Sequence, residues 1–114
     1  MDEILRQTLL YDFYGELLTK HQQQVYEDVV LNDLSCSEVA AARGVSRQGV
    51  HDLVRRCEHT LNGYEDKLHL VKKFLEIREN VQKIEEEADR ELSGEADVEA
   101  GTIKRLCRQI LEEL

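Results

Sequence analysis

Ser35-Cys36-Ser37-Glu38-Val39-Ala40-Ala41-Ala42-Arg43-Gly44-Val45-Ser46-Arg47-Gln48-Gly49-Val50-His51-Asp52-Leu53-Val54-Arg55-Arg56-Cys57 is the stretch that decides the fold. Ser35 followed three residues later by Glu38 is a capping box, so a short helix starts here and runs to Arg43. Gly44 can take the left-handed conformation that ends a helix. Val45 fills the turn, and Ser46 caps the next helix, predicted to run to about Leu61. Two short helices joined by so tight a turn make a helix-turn-helix. The crossing needs a small residue, and Ala40 is there. It also needs apolar residues at the interface, which Val39, Val45, Val50 and Leu53 supply. Val54 and Cys57 continue the inward face.

Upstream, Ile4, Leu5, Leu9, Leu10, Phe13, Leu17 and Leu18 recur at helical spacing and predict a first helix over 3–18, interrupted by Gly15. Thr19-Lys20-His21-Gln22 is a second capping box and opens a helix to about Leu31, with Val25, Tyr26, Val29 and Val30 inward. Asn32-Asp33 breaks it. Downstream, residues 64–92 suit one long charged helix. Leu68, Val71 and Leu75 make one stripe. Phe74, Ile77, Val81, Ile84 and Ala88 make a second, spaced like a short heptad seam that could meet a second copy of the chain in a homodimer. Residues 93–101 read as a loop. A final helix over 102–114 puts Ile103, Leu106, Cys107, Ile110, Leu111 and Leu114 on one face, and is expected to fold back on the long helix as a hairpin.

The expected fold is therefore all-α, a helix-turn-helix without a wing, with a long C-terminal helix and a final amphipathic helix. The 114 residues fit a single domain, divided into 1–61 with the helix-turn-helix and 62–114 as a helical hairpin. A chain of this size buries roughly two-thirds of its unfolded surface and needs no metal or disulfide to fold. Cys36, Cys57 and Cys107 are odd in number and lack metal-ligand spacing, so reduced thiols are expected. The start is acidic where a signal peptide needs positive charge, and no apolar run is long enough to cross a membrane. A cytoplasmic location is expected.

The formal net charge is −9. That argues against coating nucleic acid by charge alone. The distribution is more telling. Residues 1–34 carry seven acids against two bases, and 58–114 carry fifteen against nine. Residues 35–57 carry Glu38 and Asp52 against Arg43, Arg47, Arg55 and Arg56, the one basic island. In a helix-turn-helix the start of the second helix enters the major groove. Here Arg47 could pair with guanine and Gln48 with adenine, while Arg55 and Arg56 could meet phosphates. The candidate contact set is Arg43, Ser46, Arg47, Gln48, His51, Arg55 and Arg56. The same residues could instead be a solvated face on a scaffold helix that binds something else. His21, His51, His59 and His69 are scattered, Glu85-Glu86-Glu87 reads as a solvated run, and no nucleophile-base set or phosphate loop is present. No enzymatic activity, metal or cofactor is expected.

The order of helices and turn from Leu17-Leu18-Thr19-Lys20-His21-Gln22 through Val45-Ser46-Arg47-Gln48-Gly49-Val50 resembles region 4 of the sigma-70 class. Across 4–92 the chain is similar to the bacterial YlxM family, on Leu10-Tyr11-Asp12-Phe13-Tyr14, Leu17-Leu18-Thr19, Gly44-Val45-Ser46-Arg47-Gln48 and Tyr64-Glu65-Asp66-Lys67-Leu68. The resemblance implies a small cytoplasmic helix-turn-helix protein linked to the signal recognition particle, to its GTPase subunit Ffh and its receptor; the expected contact of the basic second helix is the particle RNA or an acidic face of Ffh. It carries Ser46, Arg47 and Gln48 over as a contact surface. The chain departs from the family pattern at Gly49 and His51, where alanine and tyrosine are usual. A glycine there loosens the contact helix. A DNA-binding regulator, dimeric through the 74–88 seam, is the alternative reading.

Overall fold

The computed structural model describes residues 2–94 and 99–113. Helix α1 spans Glu3–Tyr14, and Asp2 caps it by accepting the Ile4 N–H at 3.1 Å. The expected helix over 3–18 is shorter as an α-helix, because Gly15–Leu17 tighten into a 3₁₀ turn. A Cβ on Gly15 would stand 2.9 Å from the Tyr11 ring, so glycine lets the chain close on that ring. Leu9, Leu10 and Tyr14 are buried, whereas Ile4, Phe13 and Leu17 of the expected stripe are exposed.

Helix α2, Lys20–Tyr26, starts in the capping box read from the sequence. Thr19 accepts the Gln22 N–H, and the Gln22 side chain accepts the Thr19 N–H. Val25 and Tyr26 are fully buried, and Val29 and Val30 are half-buried. The helix continues as a π turn over Glu27–Leu31, closed by the Asn32 N–H on the Glu27 carbonyl at 2.8 Å. The turn carries two side chains into place. Glu27 accepts from the Tyr11 hydroxyl at 2.5 Å, and Asp28 pairs with Arg43 at 3.1 Å. The Tyr11 ring in turn stacks on Tyr26, with centroids 5.2 Å apart.

Helix α3, Cys36–Arg43, and helix α4, Arg47–Leu68, form the helix-turn-helix. The Ser35–Glu38 capping box is present. Gly44 has φ +68 and Ser46 accepts the Gly49 N–H at 3.0 Å. Val39, Ala40, Val50, Val54, Cys57 and Leu61 close the interior, and α1, α2 and α3 all pack on α4. Val45 does not fill the turn as expected. It is 51% exposed, because the left-handed step at Gly44 swings it out of the interface.

The expected end of α4 near Leu61 is also corrected. Asn62-Gly63 does not break the helix, since the Asn62 side chain donates to the Glu58 carbonyl and the helix runs on to Leu68. The break falls at His69, a non-glycine residue with φ +57. Helix α5 then spans Leu70–Ser93, so the single helix expected over 64–92 is two. The reason is long-range. Buried Glu65 accepts the Tyr14 hydroxyl at 2.6 Å and the Val71 N–H at 3.0 Å, and Tyr14 accepts the Leu70 N–H at 3.1 Å. These bonds satisfy the first amides of α5, which an unbroken helix would have used internally.

The residues group into two compact units, Met1–Val71 and Lys72–Leu114. In the second, α6 spans Ala100–Glu113. A polar recess is lined by Glu76, Glu79, Asn80 and Lys83 of α5 and by Gln109, Glu112 and Glu113 of α6. Leu106 is buried there, and Phe74, Val81 and Leu111 stay exposed. Of the loop expected over 93–101, residues 95–98 lie outside the described residues. Among the described residues there is no strand, and no helix is long and apolar enough to cross a membrane.

Candidate nucleic-acid interface

Helix α4 has two unlike sides. One side, with Val50, Val54, Cys57 and Leu61, is sealed against α1, α2 and α3. Burial pushes the Cys57 thiol upward, with the Arg56 guanidinium opposing it, so this cysteine is a neutral packing group. The rest of its surface carries Arg47, Gln48, His51, Asp52, Arg55, Arg56 and His59, all exposed.

The seven candidate contact residues do not behave alike. Arg43 is turned inward: it pairs with Asp28 at 3.1 Å and donates to Gln24 at 3.3 Å, tying α3 to the preceding π turn. The Ser46 hydroxyl is spent on the Gly49 amide. Gln48 donates to Asp52 at 2.9 Å, and His51 stands 3.9 Å from the same carboxylate. Such exposed pairs are worth only a few tenths of a kcal/mol, so they bias orientation without locking it. Arg47, Arg55 and Arg56 make no side-chain hydrogen bond or ion pair among the described residues.

Two recesses lie along this side. Ser35, Cys36 and Ser37 of the α3 start and Arg47, Gln48 and His51 line one of about 600 Å³. Asp52, Arg55, Arg56 and His59 line another of about 570 Å³, further along α4. His59 was missing from the sequence-derived set. Its signal was its spacing, four residues beyond Arg55 and eight beyond His51. Among the described residues no group of His, Cys, Asp or Glu is placed to hold a metal.

A capped short helix, a left-handed glycine and a second helix with exposed arginines define a helix-turn-helix protein. The family profile described as "Putative helix-turn-helix protein, YlxM / p13 like" matches residues 1–100. The chain belongs to this family, UPF0122. A UPF0122 protein of Thermoanaerobacter sp. is 41% identical over 112 residues, covering 97% of this chain and 96% of its own. One from Desulforamulus reducens is 40% identical over 113 residues, covering 99% and 97%. One from Caldanaerobacter subterraneus subsp. tengcongensis is 48% identical over 85 residues, covering 75% and 73%.

Proposed function

We propose that this chain is an interaction protein of the signal recognition particle pathway. It docks on the particle through the open side of α4, meeting the particle RNA or an acidic face of Ffh. The observation that supports this reading is the contrast in charge placement. In a chain of net charge −9, three arginines without a hydrogen bond or ion pair among the described residues stand exposed on the first half of α4. The acidic remainder disfavours indiscriminate binding to nucleic acid and leaves one face able to receive phosphate. The link to the particle comes from the resemblance to the YlxM family. Arg47, Gln48, His51, Arg55 and Arg56 form the contact, Ser46 shapes it as a cap, and Arg43 supports α3 from within. The 74–88 stripe, with Phe74 and Val81 exposed, serves a homodimer.

A DNA-binding regulator is the second reading. The exposure of both Arg47 and Gln48 in the first turn of α4 favours it, since those positions meet base edges in helix-turn-helix complexes.

Fluorescence anisotropy of the labelled chain tests the choice. The titrant is reconstituted Ffh–RNA particle at physiological salt, with excess generic duplex DNA as competitor. Saturable binding that survives the DNA is expected, and omitting the RNA locates the contact. No response to the particle, with the signal tracking the duplex instead, would sink the particle reading in favour of the regulator.

A further inference from the structure

Among the described residues only one unpartnered cation, Arg47, stands in the first turn of α4, the part of such a helix that meets base edges. The rest of that turn is poorly equipped to read. Ser46 is occupied as a cap, Gly49 offers no side chain, and the Gln48 amide faces the Asp52 carboxylate. The other unpartnered cations, Arg55 and Arg56, lie further along, among further polar groups. Arg47, His51, Arg55 and His59 recur at four-residue intervals and form one ridge of the helix. At 1.5 Å rise per residue the ridge is about 18 Å long. Its far end is concave, where Arg55, Arg56 and His59 border the 570 Å³ recess with Asp52.

We propose that α4 binds nucleic acid as a phosphate track and not as a base reader. The sugar–phosphate backbone runs along the ridge, with one phosphate at Arg47 and another seated among Arg55, Arg56 and His59. This rests on α4 being the nucleic-acid face, and it adds His59 to that face. Magnitudes favour the track. One bidentate arginine–guanine pair discriminates by about 1–3 kcal/mol, roughly ten- to a hundredfold. Sequence-specific proteins need about 10³–10⁷ over non-specific sites. Phosphate contacts by three arginines release counterions whatever the base sequence. The Asp52 carboxylate in the recess repels phosphate and keeps affinity modest.

The test is anisotropy with the full chain against pairs of duplexes of equal length and scrambled sequence, one pair DNA and one pair RNA, across a salt series. Scrambling is expected to change Kd less than threefold. The slope of log K on log salt should be near −2 for DNA, two phosphates at about −0.9 each. The double variant Arg55→Gln/Arg56→Gln should flatten that slope by about one, each single variant should flatten it by less, and His59→Gln should raise Kd a few-fold. Gln48→Ala should weaken the two duplexes of each pair alike and leave their ratio unchanged. Both pairs behaving so, or either alone, supports the track, and the tighter pair names the backbone it fits. A preference above tenfold for one sequence that Gln48→Ala or Arg47→Gln abolishes would overturn it. So would binding that Arg55→Gln, Arg56→Gln and His59→Gln all leave intact. Failure of every duplex to bind would instead reject the nucleic-acid role of α4 itself.

Discussion

The two compact units are held together by different physics. Residues 2–71 close on a dense interior in which Tyr14, Tyr26, Cys57 and Leu61 are at most 1% exposed. Polar bonds within that unit reach across 51 or more residues of sequence, from Tyr14 to Glu65 and from Tyr14 to Leu70. In residues 72–113 the only fully buried apolar side chain among those described is Leu106. Its ion pairs, Lys83 with Glu79 and Arg90 with Glu87, are local pairs on one helix. The first unit is thus specified by tertiary contacts, and the second chiefly by helix propensity and an amphipathic stripe.

That contrast can be broken at its centre. Leu61→Ala removes a side chain with no exposed surface, and about 2–5 kcal/mol of stability should go with it in urea denaturation. Leu111→Ala, at 68% exposed, serves as the control and should change stability by less than about 0.5 kcal/mol. Equal losses would erase the distinction between the units. Glu65→Ala should cost about 2–4 kcal/mol, because it leaves the Tyr14 hydroxyl and the Val71 N–H short of a buried acceptor.

A pH series sharpens the same point. Burial, with the hydrogen bond to Glu65, pushes the Tyr14 hydroxyl up to about 12, against the opposing bond from Leu70. Burial raises Tyr11 and Tyr26 as well. A raised folded-state value means the folded protein holds the proton more tightly. The stabilisation is therefore complete below about pH 10, where unfolded tyrosine ionises, and is lost as pH climbs towards 12. Tyr14→Phe should remove up to about 2 kcal/mol of that alkaline loss, measured as the difference between the two unfolding curves at pH 9 and pH 12. An unchanged difference would show that Tyr14 is not held as described. The smallest losses fall at the turn and its cap. Gly44→Ala forces a side chain into φ +68 and should cost about 1–2 kcal/mol by thermal melting, while Ser35→Ala should cost about 1 kcal/mol by loss of its cap.

The range of each interaction decides how much of this could be read from sequence. The caps at Thr19, Ser35 and Ser46 and the turn at Gly44 are local chemistry, complete within four residues, and they stand where the pattern put them. The end of α4 is not local. Asn62-Gly63 resembles a stop, but Leu61 behind it is buried and Asn62 bonds back to Glu58. The true break at His69 depends on a tyrosine 56 residues upstream of Leu70, which no periodicity carries. Arg43 was legible as a cation, but its partner Asp28 sits on a π turn that helical spacing misplaces. Arg47, Arg55 and Arg56 were legible as exposed because they need only to lie off the stripe of Val50, Val54 and Cys57.

The π turn at Glu27–Leu31 has a bearing on which lengths of chain this fold accepts. It holds one residue more than an α turn would, and so acts as a phase shifter between α2 and the helix-turn-helix. Deleting one residue from it would restore ordinary helical geometry, yet rotate the downstream chain by about 100°. Asp28 or its successor would then point away from Arg43, and the strut holding α3 would be gone although every remaining residue type was kept. The surplus residue works as a spacer, and its count matters more than its chemistry.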